Sequence, residues 1–68
     1  MKIFQNRLKE ERKSFNLTQR EMANKLGITQ PSYIRYENGT AEPSLENLVK
    51  IADILNISVD YLLGRADI

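Results

Sequence analysis

The chain has 68 residues, a net charge of +1, and neither cysteine nor histidine. A chain of this length is expected to form one domain with a thin core, because it buries only about 60% of the surface that its unfolded form exposes. The missing residue types exclude disulfides, zinc-ligand clusters and nucleophile–histidine pairs, so neither a metal nor catalysis is expected. No apolar run approaches the roughly 18 residues of a membrane span, and the N-terminus lacks a signal-peptide core. A cytoplasmic protein is therefore expected.

Charge is unevenly distributed along the chain. Residues 1–38 carry eight basic and four acidic groups, net +4, whereas residues 39–68 carry two basic and five acidic groups, net −3. The first part is suited to a polyanion such as nucleic acid. Chance also produces such differences in small proteins, so charge alone does not decide the function.

Helical periodicity predicts five helices and no strand. The first helix is expected over about residues 3–15, with Phe4, Leu8 and Phe15 on one apolar stripe. Asn16 then breaks the helix.

Residues 18–38 have the pattern of two short helices joined by a sharp turn. Thr18 stands three residues before Glu21, which predicts a capping box at the start of the second helix. Gly27 is typical of a left-handed helix end, and Thr29 is placed to cap the third helix, which stops at Asn38–Gly39. Two helices joined by about three or four residues must cross steeply, and in a helix-turn-helix the second one enters the major groove of DNA.

The C-terminal part predicts two further helices. Ser44 caps the fourth and Asn56 ends it, while Ser58 caps a short fifth helix over residues 59–63 that Gly64 stops. The apolar face expected on the fourth helix consists of Leu45, Leu48, Val49, Ala52 and Leu55. The predicted fold is a compact all-α bundle of five helices, forming a single domain over residues 1–68.

The segments LTQREMANKLGITQPSYIRYENG and PSLENLVKIADILNISVDYLLG resemble the DNA-binding domain of the phage repressor and Cro family, the XRE type of helix-turn-helix. The resemblance extends over about residues 8–64. It implies a lambda-repressor-like five-helix fold in a bacterial or phage-encoded protein, usually a dimer on a near-palindromic operator. Most members of the family are transcriptional repressors, and some are autoregulators or antitoxins.

Base-reading residues are expected at the start of the third helix. The amide of Gln30 matches the N6 and N7 edge of adenine, and the guanidinium of Arg35 matches O6 and N7 of guanine. Two alternatives stay open: Gln30 is only a solvated surface residue, and Arg35 contacts a phosphate. Purely structural roles also stay open for Pro31, Ser32 and Ile34. The predicted base-reading set is Gln30, Pro31, Ser32, Ile34 and Arg35.

Phosphate contacts are expected where backbone N–H groups and helix N-termini face outward. Gln19 begins the second helix, where the partial positive charge of the helix favours an anion. The resemblance implies the same role for the loop after the third helix, whose backbone N–H groups meet phosphates. Ordinary capping and turn chemistry is the alternative throughout. The predicted phosphate set is Gln19, Arg20, Thr29, Tyr36, Asn38, Gly39 and Thr40.

The resemblance implies two further features. Arg12 and Glu37 occupy the positions of an ion pair that joins the first helix to the end of the third. The dimer surface corresponds to Ile57, Val59, Tyr61 and Leu62, which on the alternative interpretation only close the bundle.

The leading hypothesis is a dimeric, sequence-specific binder of double-stranded DNA that acts as a repressor or autoregulator. The alternative is an antitoxin or adaptor that uses the fold mainly to hold a partner protein. No cofactor, membrane or small-molecule ligand is expected, because nothing in the sequence indicates one.

Overall fold

The computed structural model describes all 68 residues, Met1–Ile68, as five α-helices without a strand. The helices are α1 Lys2–Ser14, α2 Gln19–Leu26, α3 Gln30–Asn38, α4 Leu45–Leu55 and α5 Val59–Leu62. They pack into a body of 29 × 23 × 19 Å. The predicted all-α, five-helix fold is confirmed. None of the helices has the length and apolar character needed to cross a bilayer.

Side-chain caps fix where four of the helices begin. Thr18 accepts a hydrogen bond from the Glu21 N–H, and the Glu21 carboxylate accepts one from the Thr18 N–H, which completes the predicted capping box. Thr29, Ser44 and Ser58 each accept from the N–H three residues further on. Each such cap contributes about 1 kcal/mol to stability. The predicted starts of α2 to α5 are therefore confirmed.

The turn between α2 and α3 depends on a left-handed residue. Gly27 ends α2 at φ +72°, and Gly39 ends α3 at φ +80°. Glycine adopts this region without the steric cost that a Cβ imposes. Because α2 stops sharply at Gly27, α3 begins three residues later and packs across α2.

The core lies where α1, α2 and α3 meet α4 and α5. Leu8, Tyr33, Ile51 and Leu62 are completely buried. The whole buried apolar cluster is Phe4, Leu8, Met22, Ala23, Leu26, Tyr33, Tyr36, Ile51, Ala52, Leu55 and Leu62. Every helix contributes to it, so the position of α3 is determined by the whole bundle.

The predicted apolar stripe of α1 is wrong at its last member. Phe15 is 47% exposed, because the helix ends at Ser14 and Phe15 is its C-cap. The buried stripe runs instead through Phe4, Leu8 and Arg12. A charged residue thus occupies the third position of the stripe.

The predicted apolar face of α4 is also partly wrong. Leu45 is 83% exposed and Val49 is 52% exposed. Ala52 and Leu55 are buried as predicted, and Leu48 is half-buried against the core. Ile51, which the prediction left out, is completely buried. Periodicity correctly indicated an amphipathic helix but included side chains on the edge of the apolar face that no other element covers.

Candidate nucleic-acid interface

Helix α3 has two faces of different character. Its inward face consists of Tyr33, Tyr36 and Glu37, all buried. At its outward face Pro31, Arg35 and Asn38 are exposed, while Gln30, Ser32 and Ile34 are half-buried. All five predicted base-reading residues therefore lie at the accessible side or at the edges of the helix, and Pro31 occupies its first turn without interrupting it.

A buried polar network anchors the inward face at Glu37. Arg12 donates two hydrogen bonds to this carboxylate, from Nε at 2.6 Å and from Nη2 at 3.2 Å. The Tyr33 hydroxyl and the Gln19 amide also donate to it, the latter at 3.1 Å. Arg12 further donates to the Leu17 carbonyl at 2.7 Å. The network joins α1, the start of α2 and the end of α3, and so fixes the orientation of α3.

The environment of the network keeps Glu37 ionised. Burial on its own raises the pKa of this carboxyl, but the hydrogen bonds from Arg12, Tyr33 and Gln19 outweigh burial and lower the pKa below its ordinary value. The hydrogen bond to Glu37 also raises the pKa of Arg12, against the opposing effect of burial. Burial, together with the hydrogen bond to Glu37, raises the pKa of the Tyr33 phenol. The arrangement is a charged, fully paired cluster, and no buried polar side-chain atom of the chain lacks a hydrogen-bond partner.

Several predicted phosphate contacts already have partners within the chain. The Gln19 amide is held by Glu37, and the Tyr36 hydroxyl accepts a hydrogen bond from Asn47 of α4 at 3.2 Å. The Thr29 hydroxyl caps α3 and donates to the Ser32 hydroxyl at 2.8 Å. These residues position the helices, whatever else they contact.

The loop after α3 differs from the expectation that its backbone N–H groups face phosphates. The N–H groups of Gly39 and Thr40 both donate to the Arg35 carbonyl, at 2.9 and 3.1 Å. These donors close the end of the helix instead. The exposed side chains of Asn38 and Thr40 are the polar groups that the loop presents to solvent.

Basic side chains near this face lack acidic partners. The ion pairs within 4 Å in the chain are Arg12–Glu37, Lys50–Glu46 and Arg65–Asp60. Arg20 and Arg35 take part in none of them and are both exposed. The Nε of Arg20 donates to Oε1 of Gln30 at 3.4 Å. This side of the molecule therefore carries cations that the fold itself does not neutralise.

One of the four residues predicted for the dimer surface does not lie at the surface. Leu62 is completely buried in the core and is not available to a second chain, which corrects the prediction. Ile57 and Val59 are half-buried against the core. Tyr61 is half-buried, and its ring lies 4.1 Å from the guanidinium carbon of Arg7. Of the four residues of the helix, Leu62 is the one that is completely buried.

Sequence reasoning missed the role of Arg7. Its Nη1 donates to the carbonyls of Tyr61 and Ala66, the latter at 2.7 Å, while the guanidinium stacks on the Tyr61 ring. Arg7 thus ties the end of α5 to α1. The partners are 54 and 59 residues apart along the chain, and no local pattern indicates them.

The geometry defines a class: a helix-turn-helix in which α3 is packed across α2 and presents an accessible polar face. A family model described as helix-turn-helix matches residues 8–62. The chain belongs to this family, in its XRE-type, phage-repressor-like branch.

Relatives with this sequence pattern carry regulator names. The chain is 54% identical over 65 residues to the cryptic phage CTXphi transcriptional repressor RstR of Vibrio cholerae, covering 96% of this chain and 57% of the relative. It is 51% identical over 61 residues to the uncharacterized HTH-type transcriptional regulator YqaE of Bacillus subtilis, covering 90% and 53%. It is 39% identical over 62 residues to the HTH-type transcriptional regulator ImmR of Bacillus subtilis, covering 91% and 49%. The chain thus spans about half the length of these relatives.

Proposed function

We propose that this chain is a sequence-specific binder of double-stranded DNA that regulates transcription, with α3 inserted in the major groove. The observation that carries the proposal is the division of α3. Its inward residues are locked by the core and the Glu37 network, while its outward residues are free of both. A helix held rigidly from behind can present side chains to base edges with little loss of conformational entropy.

Base reading is assigned to the outward face of α3. Gln30 pairs with the N6 and N7 edge of adenine, and Arg35 donates to O6 and N7 of guanine. Pro31, Ser32 and Ile34 lie between these two and define the remaining contact surface. Each good bidentate pair is worth about 1–3 kcal/mol of discrimination against the wrong base.

Affinity is assigned to phosphate contacts beside that face. Arg20 and the start of α2 lie on one side of α3, and the side chains of Asn38 and Thr40 lie at its end. Thr29 and Gly39 support these contacts by capping the two ends of α3, and Gln19 supports them by joining the start of α2 to Glu37. Neutralising phosphates releases counterions, so binding weakens steeply as salt rises.

The proposed assembly is a homodimer on a near-palindromic operator, acting in the cytoplasm as a repressor. The name of the relative from Vibrio cholerae, a transcriptional repressor, supports repression. Ile57, Val59 and Tyr61 are the proposed contact surface, without Leu62. Two recognition helices on a two-fold axis read half-sites whose centres lie about 34 Å apart, one turn of DNA.

Binding-site selection from a pool of random duplexes, carried out at low and at physiological salt, tests the proposal. The expected result is a two-fold symmetric sequence with half-sites one helical turn apart, retained at the higher salt. The Gln30→Ala and Arg35→Ala variants then identify which base each residue reads. Enrichment of no sequence, with binding that disappears uniformly as salt rises, would contradict the proposal and favour a protein partner as the main ligand.

A further inference from the structure

We propose that Arg20 is a specificity-determining positioning residue, which sets the orientation of the Gln30 side-chain amide and thereby makes it select adenine over guanine. The inference rests on the proposed function, since it concerns how Gln30 reads a base. It gives Arg20 a role different from a simple phosphate contact.

The contact itself is the first argument. The Nε–H of Arg20, in the first turn of α2, donates to Oε1 of Gln30, the first residue of α3, at 3.4 Å. It is the one hydrogen bond that either side chain makes within the chain. Arg20 is not diverted by an acidic neighbour, because the carboxylate of Glu21 is engaged in the capping box at Thr18. The two helix starts are thus linked directly, side chain to side chain.

The chemistry of a glutamine amide makes its orientation important. A half-turn about the last side-chain bond exchanges the acceptor Oε1 and the donor Nε2, which have nearly the same shape. In the observed orientation Oε1 faces Arg20, and Nε2 has no partner within the chain. A carbonyl oxygen has two lone pairs, so Oε1 can accept from Arg20 and from a base at the same time.

The pinned orientation favours one purine. Adenine offers a donor at N6 beside an acceptor at N7, which matches an amide that presents both Oε1 and Nε2. Guanine offers acceptors at both O6 and N7, so a pinned Oε1 would face O6 with no hydrogen between them. Without Arg20 the amide is free to turn and to present its two N–H donors to guanine. Removing Arg20 should therefore relax the choice between adenine and guanine at the base pair that Gln30 reads.

A phosphate contact alone predicts a different pattern. Loss of a phosphate contact weakens binding about equally for all sequences and lowers the salt dependence by about one counterion. It leaves the ratio of affinities for adenine-bearing and guanine-bearing sites unchanged. The ratio, measured at fixed salt, therefore separates the two roles.

The experiment uses the consensus duplex from the selection and its partner duplex in which the base pair read by Gln30 is changed from adenine to guanine. Affinities for both are measured for wild type, Arg20→Met, Gln30→Ala and the double variant, with Lys25→Met as the control that removes another exposed cation of α2. Arg20→Met should lower the preference for adenine by about fivefold or more, whereas Lys25→Met should lower affinity without changing the preference. In the Gln30→Ala background, where the amide is absent, Arg20→Met should cause little further loss of preference.

Three outcomes overturn the inference. If Arg20→Met keeps the wild-type preference while losing affinity, Arg20 contacts phosphate alone. If the Arg20 and Gln30 effects on preference simply add, the two side chains act independently. If the wild-type chain selects no sequence, the proposed function itself fails, and this role for Arg20 fails with it.

Discussion

The two faces of α3 are built differently although they alternate along the same nine residues. The inward face packs two tyrosines in the core and holds Glu37 with four hydrogen bonds from three other residues. The outward face holds Arg35, which has no ion-pair partner, together with exposed or half-buried side chains that lie outside the core cluster and the Glu37 network. The difference indicates that stability and recognition are assigned to separate side chains. Substitutions on the outward face should therefore leave stability nearly unchanged, whereas substitutions on the inward face should lower stability and, because the Glu37 network orients α3, should also weaken recognition.

The largest expected effect is on the inward face, at Arg12. Arg12→Ala leaves the buried Glu37 carboxylate without its charge partner, and loss of one member of a buried pair costs about 3–5 kcal/mol. The Arg12→Met, Glu37→Leu double variant removes both charges and should lose less. Urea denaturation of both variants measures the free energies of unfolding. An equal or smaller loss of stability in the single variant would show that Glu37 does not pay the cost of an unpaired buried charge when Arg12 is removed.

Acid titration sharpens the same point. The pKa of Glu37 lies below its ordinary value of about 4.5, because the hydrogen bonds that it accepts outweigh the effect of burial. A carboxyl with a lowered folded-state pKa stabilises the protein above its unfolded pKa and loses that contribution as pH falls through the folded pKa. The stability of wild type should therefore decline more steeply below about pH 4.5 than that of the double variant. Parallel declines in urea midpoints would contradict this.

The two tyrosines of the inward face provide a matched pair. Tyr33→Phe removes a donor to a buried carboxylate, whereas Tyr36→Phe removes a hydroxyl that accepts from the neutral amide of Asn47. Hydrogen bonds to charged groups contribute about 1.5–3 kcal/mol and neutral ones about 0.5–1.5 kcal/mol. Tyr33→Phe should thus cost more in thermal and urea unfolding. If Tyr36→Phe costs more than Tyr33→Phe, the contact of α3 with Asn47 of α4 stabilises the helix more than the Glu37 network does.

On the outward face, Arg35 should affect binding without affecting stability. Arg35→Met is expected to change the free energy of unfolding by less than about 0.5 kcal/mol, as for other exposed sites. Removing the guanidinium from its bidentate contact with guanine should cost about 1–3 kcal/mol of discrimination between guanine and the other bases. Arg65→Met is the control, since it removes the same group from the acidic C-terminal part. The comparison fails if both variants weaken binding to the selected duplex equally.

The smallest expected effect concerns the apolar residues of α4. Leu45 is 83% exposed, so Leu45→Ala should change stability by less than about 0.5 kcal/mol. Leu48→Ala, from the half-buried side chain that packs on the core, should cost clearly more. The midpoints of thermal unfolding of the two variants, measured at the same protein concentration, show which substitution lowers stability more. A large loss for Leu45→Ala would indicate that the exposed leucine is covered by something in solution.

The sequence was most informative where structure is set by neighbouring residues. The caps at Thr18, Thr29, Ser44 and Ser58 were predicted correctly because each bonds to a backbone group three residues away. Four of the five helices follow from these starts and from the residues that end them, and α1, which has no side-chain cap, follows from its apolar spacing.

Long-range packing accounts for what the sequence did not predict. Arg12 takes the stripe position expected of Phe15 because it is buried by its ion pair with Glu37 of α3. The family resemblance implied this pair, but periodicity counted only apolar residues for the stripe. The bond from Arg7 to the end of α5 joins residues far apart along the chain, and no periodicity detects it. Leu62 was expected at the dimer surface because the family resemblance implied it, and the short α5 has too few residues for spacing to show which one faces the core. For the candidate site, the sequence predicted which side chains lie on the outward face but not that Gly39 and Thr40 use their N–H groups to close α3.

The most direct test of the divided helix is a residue-by-residue NMR titration of the chain with the duplex recovered by selection. The largest backbone amide shifts are predicted at residues 19–20, 29–35 and 38–40, with residues 56–68 changing only where two chains meet. Shifts concentrated in the acidic C-terminal part, with α3 unaffected, would contradict the assignment of DNA recognition to the outward face of α3.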